Sequence, residues 1–329
     1  MSNQKIAIVG GSGFVGHFFE KRINNKFEYK IFDKKEPHSN GKYVYFDLLK
    51  CDNADEFFDI DIIINLAAVH RDNVKPKSLY HDVNVKGSEN ICEIAKKNDI
   101  PRIIFLSSVA VYGFTSANTY EDGQKNFFNE YGKTKFLAER VYTDWQKEEP
   151  TKRSLSIIRP TVIFGEGNRG NVYNLMNQIN SKRFIMIGDG KNKKSMAYVK
   201  NVAAFIEFSI SLKNNLNIFN YSDKPDFDMN SLVSQIRSLL FKKNNVGIRL
   251  PKFLAIFLGY IADLFSILFK VTLPVSSIRI KKFIKTTQFS SSYKPDKFKA
   301  PFSLEEGLQN TVKYEFIDEN DKNLSFETD

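Results

Sequence analysis

Short, continuous apolar runs alternate with stretches of helical periodicity along the first half of the chain, and their lengths sort them into strands and helices. Lys5 to Val9, Tyr29 to Phe32, Tyr43 to Phe46, Ile60 to Asn65, Arg102 to Leu106 and Ser154 to Ile158 read as strands. The run Ile60 to Asn65 is apolar at consecutive positions, as in a strand covered on both faces. HFFEKRI from His17, Leu79 to Asn98, and YGKTKFLAERVYTDW from Tyr131 read as helices. Six alternations predict an α/β fold, a Rossmann-like doubly wound parallel sheet.

From Thr161 the pattern loosens. EGNRGNVYNLMNQI predicts a loop into a helix, KRFIMIGDGKNKKS a strand and turn, and NVAAFIEFSISL and MNSLVSQIRSLLF two helices. NIFNYSD, at about 216–222, reads as a late strand returning to the main sheet. Ser303 and Glu306 open a last helix with a capping-box pattern. The expected organisation is a nucleotide-binding domain over 1–160, a smaller C-terminal substrate-binding region over 161–316, and a mobile acidic tail over 317–329.

Composition narrows the class. With 329 residues, 42% of them hydrophobic, the chain can bury a large core. Cys51 and Cys92 do not suggest a disulfide framework and read as reduced thiols. His17, His38, His70 and His81 show no metal-ligand spacing, so no metal is expected. The chain enters a strand at KIAIVG without a charged-then-apolar leader, and no secretory signal is expected. The net charge is +10, and Arg249 to Lys299, with ten basic residues against Asp263 and Asp296, carries +8 of it. Such a patch suits nucleic acid, anionic lipid or a phosphorylated substrate.

Phe253 to Phe269 (FLAIFLGYIADLFSILF) adds an apolar neighbour to that patch. Its 17 residues reach about 25 Å as a helix, short of the roughly 20 residues a membrane span needs. Ala255, Gly259, Ala262, Asp263 and Ser266 fall on one face, and Phe, Leu and Ile occupy the others. Two readings stand open: a buried helix of the substrate region, or one docked by its small face with bulky side chains turned to lipid or a partner. Arg279, Lys281, Lys282 and Lys285 nearby favour a cytoplasmic membrane surface. No recognisable motif supports nucleic acid.

The chemistry-bearing residues cluster at predicted strand ends. GGSGFVG follows the first strand and opens a helix, the context that makes a glycine pattern a phosphate-binding candidate. Gly10, Gly13 and Gly16 permit the tight turn, the approach of a pyrophosphate and close helix packing, with Phe14 and Val15 beside them. Asp33 ends the second strand and suits a ribose diol, favouring NAD over NADP; Lys34 and Lys35 keep the alternative open. Leu66, Ala67 and Ala68 fit either a cofactor across the sheet edge or plain packing. FLSSVAVYG places Ser107 and Ser108 at a strand end. Tyr131 and Lys135, at i and i+4, share a helix face, where an ammonium favours phenolate and makes a base usable near neutral pH. Tyr293 and Lys297 repeat the spacing around Pro295, which argues against a helix there.

GGSGFVG, Asp33, Asp47-Leu48, NLAA, DVNVKG, SSVAVYG, YGKTK and RP, all in order, resemble the extended short-chain dehydrogenase/reductase family, in its NAD-dependent epimerase/dehydratase branch. The likeness runs from Lys5 to about Phe316. It implies a catalytic Ser108, Tyr131 and Lys135. It also implies a bound NAD lined by Gly10, Gly13, Phe14, Val15, Gly16, Asp33, Asp47, Leu48, Leu66, Ala67, Ala68, Asn84, Tyr131, Lys135, Pro160 and Val162. HRDNVKPKSLYHDVNVKG, RSLSIIRPTVIFGEGNRGNVYNLM, DKPDFDMN and VSSIRIKKFIKTTQF are similar to a subgroup acting on N-acetylglucosaminyl-diphospho-undecaprenol in O-antigen assembly. That likeness implies 4-epimerisation through a 4-keto sugar at the cytoplasmic face of the inner membrane, by a peripheral or monotopic protein, with homodimerisation carried over from the family. Arg169, Asn171, Asn174 and Lys194 are candidates for the sugar and diphosphate, along with Ser108 and Tyr131; the first four fit ordinary solvent-facing polar positions equally well. The rival functions are a soluble UDP-N-acetylhexosamine 4-epimerase, an NAD(P)H-dependent 4-ketosugar reductase and a non-catalytic dinucleotide sensor. The chain departs from many sugar-nucleotide epimerases at KSMAYV and Asn201, where RDYIHV and an aspartate are usual. That departure puts the usual way of holding a nucleotide in doubt.

Overall fold

A computed structural model describes residues 4–71, 74–113, 115, 118–212, 216–269, 271, 276–292, 298–319 and 324–326. Tyr293 and Lys297 lie outside them. The strands are β1 (Lys5–Val9), β2 (Glu28–Asp33), β3 (Tyr43–Tyr45), β4 (Ile62–Asn65), β5 (Arg102–Leu106), β6 (Ser154–Pro160), β7 (Val162–Phe164), β8 (Met186–Ile187), β9 (Lys193–Tyr198), β10 (Leu216–Tyr221), β11 (Asp223–Asp228) and β12 (Arg249–Leu250). The helices are α1 (Phe14–Ile23), α2 (Ser78–His81), α3 (Gly87–Lys97), α4 (Glu130–Glu148), α5 (Asn171–Asn180), α6 (Val199–Ile210), α7 (Met229–Phe241), α8 (Lys252–Phe269), α9 (Ser277–Ile284) and α10 (Leu304–Val312).

Seven strands form one all-parallel sheet in the order β10-β6-β5-β4-β1-β2-β3. Alternate side chains of a strand point to opposite faces, and here both faces are buried. Ile6, Ile8, Ile62 and Ile64 pack into one core cluster; Ala7, Val9, Ile63 and Ile103 pack into the other. This explains why the strands read as unbroken apolar runs. The chain winds out from β1 to β3 and then returns to β4, so the winding reverses between β1 and β4, where ligands of such sheets bind. A three-stranded sheet, β11-β9-β7, and a two-stranded one, β12-β8, build the smaller C-terminal part.

The helix expected over Leu79 to Asn98 is interrupted. Between α2 and α3 the backbone widens into a π-type turn at Asp82–Lys86. Asn84, inside that turn, accepts from the Val69 N–H at 2.9 Å and donates to the Val69 carbonyl at 3.0 Å and to Thr134 Oγ1 at 3.0 Å. The capping box at α10 forms as expected, with Ser303 Oγ accepting from the Glu306 N–H and Glu306 Oε2 accepting from the Ser303 N–H.

Part of the tail packs on the rest of the chain. The Phe326 N–H donates to the Gly167 carbonyl at 2.8 Å, and its ring sits 5.6 Å from Phe14 and 5.3 Å from His17. Residues 320–323 and 327–329 lie outside the described residues. Of the two readings open for Phe253 to Phe269, the buried one is overturned, because only Ala255 and Gly259 of α8 are buried.

Candidate active site

The glycine turn closes over the carboxyl end of β1. Gly10 has φ +75°, and a Cβ there would lie 2.5 Å from the Ala67 amide nitrogen. A Cβ on Gly16 would lie 2.3 Å from the Gly11 carbonyl oxygen. Turn, α1 and the NLAA strand end are thus in contact through positions that admit no side chain. Gly13 caps α1 without a side-chain hydrogen bond, and the first turn carries no acid. That leaves a helix N-terminus suited to an anion.

Asp33, at the end of β2, accepts from the Ser12 N–H at 3.0 Å and the Lys35 N–H at 3.2 Å. Burial raises its pKa above the ordinary carboxylate value, and the backbone amides oppose this. Lys34, one of the two cations that kept NADP open, pairs instead with Asp47 Oδ2 at 3.1 Å. Leu48 packs where a Cβ on Gly87 would fall, 2.4 Å from its Cδ2. Leu66, Ala67 and Ala68 are half-buried, and Asn65 fixes that turn by accepting from the Ala67 N–H at 3.0 Å and donating to the Tyr142 hydroxyl at 2.6 Å. Phe14 and Val15 are half-buried, Pro160 is buried at the end of β6, and Val162 is 46% exposed. A cradle that side chains would fill, an uncapped helix start and a carboxylate one strand away fit a dinucleotide.

Ser108 caps a single 3-10 turn, Val109–Tyr112, its Oγ accepting from the Ala110 N–H at 3.1 Å. Asn129 caps α4 by accepting from the Gly132 N–H at 3.0 Å. α4 then presents Tyr131 and Lys135 one turn apart, and Ser108 hydrogen-bonds the Tyr131 hydroxyl. Ser108 and Tyr131 therefore meet, with Lys135 one helical turn further along α4. Their titration differs from the expected lowering of Tyr131. Burial raises the phenol above its ordinary value, with the Ser108 hydrogen bond opposing, and burial lowers Lys135 to about 7, with Glu139 opposing. The Lys135 ammonium sits 4.1 Å from the Phe105 ring centroid.

Behind them lies a buried network that the motif reading did not assign. Arg159 donates to Glu139 from Nε at 2.8 Å and from Nη2 at 2.7 Å, and from Nη1 to the Tyr112 hydroxyl at 2.6 Å. Ser107 Oγ donates to the same carboxylate, and Tyr112 donates to Asn220 Oδ1 at 2.7 Å. Glu139 stands four residues after Lys135, and that spacing was the available signal.

The basic substrate candidates are engaged elsewhere. Arg169 Nη1 donates to Glu315 Oε2 at 2.8 Å. Lys194 Nζ donates to the carbonyls of Lys282 at 3.0 Å and Lys285 at 2.6 Å, capping the end of α9, and burial lowers its pKa to about 8. Asn171 and Asn174 are exposed at the start of α5. Asn201, where an aspartate is usual, is buried and exchanges hydrogen bonds with the backbone of Phe302 at 2.8 and 3.0 Å.

Residues 6–220 match the family model described as the NAD dependent epimerase/dehydratase family, and the chain belongs to that family. Its cofactor is NAD. The chain is 42% identical, over 98% of its own length and 99% of the relative's, to N-acetyl-alpha-D-glucosaminyl-diphospho-ditrans,octacis-undecaprenol 4-epimerase of Escherichia coli O157:H7. It is 27% identical, over 74% of its length and 83% of the relative's, to a putative UDP-glucose 4-epimerase of Methanocaldococcus jannaschii. Among solved structures, a UDP-glucuronic acid 4-epimerase from Bacillus cereus in complex with NAD superposes with TM-score 0.73 at 19% identity, covering 94% of this chain and 98% of that one. That likeness shows the fold.

Proposed function

We propose that this chain is a 4-epimerase that interconverts N-acetylglucosamine and N-acetylgalactosamine on undecaprenyl diphosphate, in surface-polysaccharide assembly. The observation that carries the reading is the extent of the 42% identity, which runs through the substrate half as well as the cofactor half. The displaced KSMAYV and Asn201 positions agree with a diphosphate substituent other than a nucleotide.

Gly10, Gly13, Gly16 and the start of α1 would hold the cofactor's pyrophosphate, and Asp33 its ribose. Bound NAD supplies a hydride acceptor and donor at the sugar C4 with no net redox change. Tyr131, as phenolate, takes the proton of the sugar 4-hydroxyl, and Ser108 hydrogen-bonds the same oxygen. Lys135, as ammonium, stabilises the phenolate. The phenolate–ammonium pair carries the same number of protons as the phenol–amine pair, so the base forms without exchanging a proton with solvent. Reprotonation by Tyr131 after the sugar has turned about its diphosphate link completes the inversion.

The test incubates the purified full chain with GlcNAc-diphospho-undecaprenol and, separately, with UDP-GlcNAc. Conversion of the lipid-linked sugar without stoichiometric consumption of added cofactor is expected; conversion of the nucleotide sugar alone would overturn the substrate assignment. Tyr131→Phe is expected to lower kcat by about 10²–10⁴-fold, and full activity in that variant would remove Tyr131 as the base.

A further inference from the structure

Helix α8 inverts the usual pattern of a helix in a folded protein. Its small residues face inward, and Phe253, Phe257, Leu264, Phe265, Ile267 and Leu268 are 47 to 76% exposed. A contiguous apolar surface of this kind marks an interaction site. Its inner side is fastened to α9. A Cβ on Gly259 would lie 2.8 Å from Ser277 Cα and Ile280 Cδ1, and the Asp263 carboxylate accepts from the Ser277 N–H at 3.2 Å. Lys281 of α9 donates to the Tyr260 hydroxyl at 2.8 Å.

Charge identifies the occupant. From Arg249 to Ser292 seven basic residues stand against one acid, Asp263, and Asp263 is already bound to the start of α9. Arg279 and Lys281 are exposed beside the apolar face. A bulky apolar face bordered by cations is the surface of a helix lying in a membrane interface.

We infer that α8 and α9 form an in-plane anchor for an anionic phospholipid bilayer, with the outer face of α8 at the acyl chains and the cations of α9 at the headgroups. By length and composition alone α8 is apolar enough to cross a bilayer; the in-plane placement rests on α9, which packs along α8 through Gly259 and Tyr260 and whose cations a span would draw into the hydrocarbon. The anchor is also joined to the active site. Lys282 Nζ lies 4.0 Å from the ring centroid of Phe128, just before the cap of α4. After α9, the Phe289 ring packs 5.8 Å from Tyr112, and Ser291 Oγ donates to Glu121 at 2.6 Å. The bilayer therefore meets the side of the molecule that carries the catalytic loop, where a lipid-held sugar can reach it. Only this last step rests on the proposed epimerisation; vesicle binding is measured without it.

The experiment sediments the full chain with phosphatidylcholine vesicles, with and without phosphatidylglycerol. Wild type is expected to bind the anionic vesicles and to be released by salt. Phe257→Ser combined with Leu264→Ser is expected to lower partitioning at least about a hundredfold. Arg279→Ser combined with Lys281→Ser is expected to lower it about fivefold per residue, on anionic vesicles only. Tryptophans introduced at Phe253 and Leu268 should be quenched equally by lipids brominated at a shallow depth. A depth gradient between them would overturn the in-plane geometry. Wild type that ignores anionic vesicles, or an apolar variant that binds as wild type does, overturns the anchor. So does a wild-type dimer that the α8 variant dissociates with no vesicle binding in either, because the face then belongs to a second copy. Thermal unfolding confirms that each variant folds. Should the α8 pair fail that check, the charge pair decides: unchanged partitioning in it overturns the anchor.

Discussion

Lys135 and Tyr131 are pushed in opposite directions by the same burial, the amine down to about 7 and the phenol above its ordinary value. In the proposed phenolate–ammonium form the pair has one proton fewer than when both groups are protonated. Adding that proton at low pH blocks the base, so kcat/KM is expected to rise with pH through about 7 and to hold past the ordinary phenol value of about 10. Glu139 tunes this limb as a positioning residue, since its charge favours the Lys135 ammonium while Arg159 and Ser107 hold it in place. Glu139→Gln is expected to move the acid limb to lower pH, read from a pH–rate profile. It should also cost about 3–5 kcal/mol in urea denaturation, because Arg159 is left buried without its partner. A purely structural role would give the second effect without the first. The candidate pair was legible because Tyr131 and Lys135 stand at i and i+4 on one helix. The pKa directions were not, because burial depends on strands and loops that the spacing does not contain.

Among the elements, those defined by their own neighbours in the chain matched expectation, as did the return strand β10, which pairs with β6, while the break after His81 depends on distant partners and was not legible. The glycine turn followed from GGSGFVG alone, and its contact with β4 explains why NLAA needs small residues. Gly16→Ala would drive a Cβ to 2.3 Å from the Gly11 carbonyl and force the turn from α1. More than a tenfold loss of copurifying NAD is expected, about 1.4 kcal/mol or more, measured by releasing the nucleotide and comparing it with wild type. The break in the helix after His81 comes from Asn84 turning to Val69 and Thr134, the latter 50 residues away. The contacts of Arg169 and Lys194 were not legible, because their partners, Glu315 and the α9 carbonyls, lie 146 and about 90 residues further on.

At the scale of the molecule, the parallel sheet was legible because burial on both faces writes itself into consecutive apolar positions, whereas the return of the last residues to the first helix leaves no periodic trace. Phe326 packs against Phe14, His17 and His38 and covers the His17 ring, whose two nitrogens are buried with no hydrogen-bond partner among the described residues. Burial first, then the charges of Lys21 and His38, lowers the His17 pKa to about 4. The folded state thus binds fewer protons than the unfolded chain between about 6.5 and 4, so His17 withdraws stability as pH falls through that window. Phe326→Ala should cost about 3 kcal/mol at neutral pH from the lost ring. It should also admit water to His17 and return its pKa toward 6.5, so the variant escapes part of the acid penalty that wild type bears. The stability gap between the two proteins, followed by denaturant unfolding, is expected to narrow from neutral pH to about pH 5. A gap that stays constant would mean that Phe326 contributes packing and nothing to the solvation of His17.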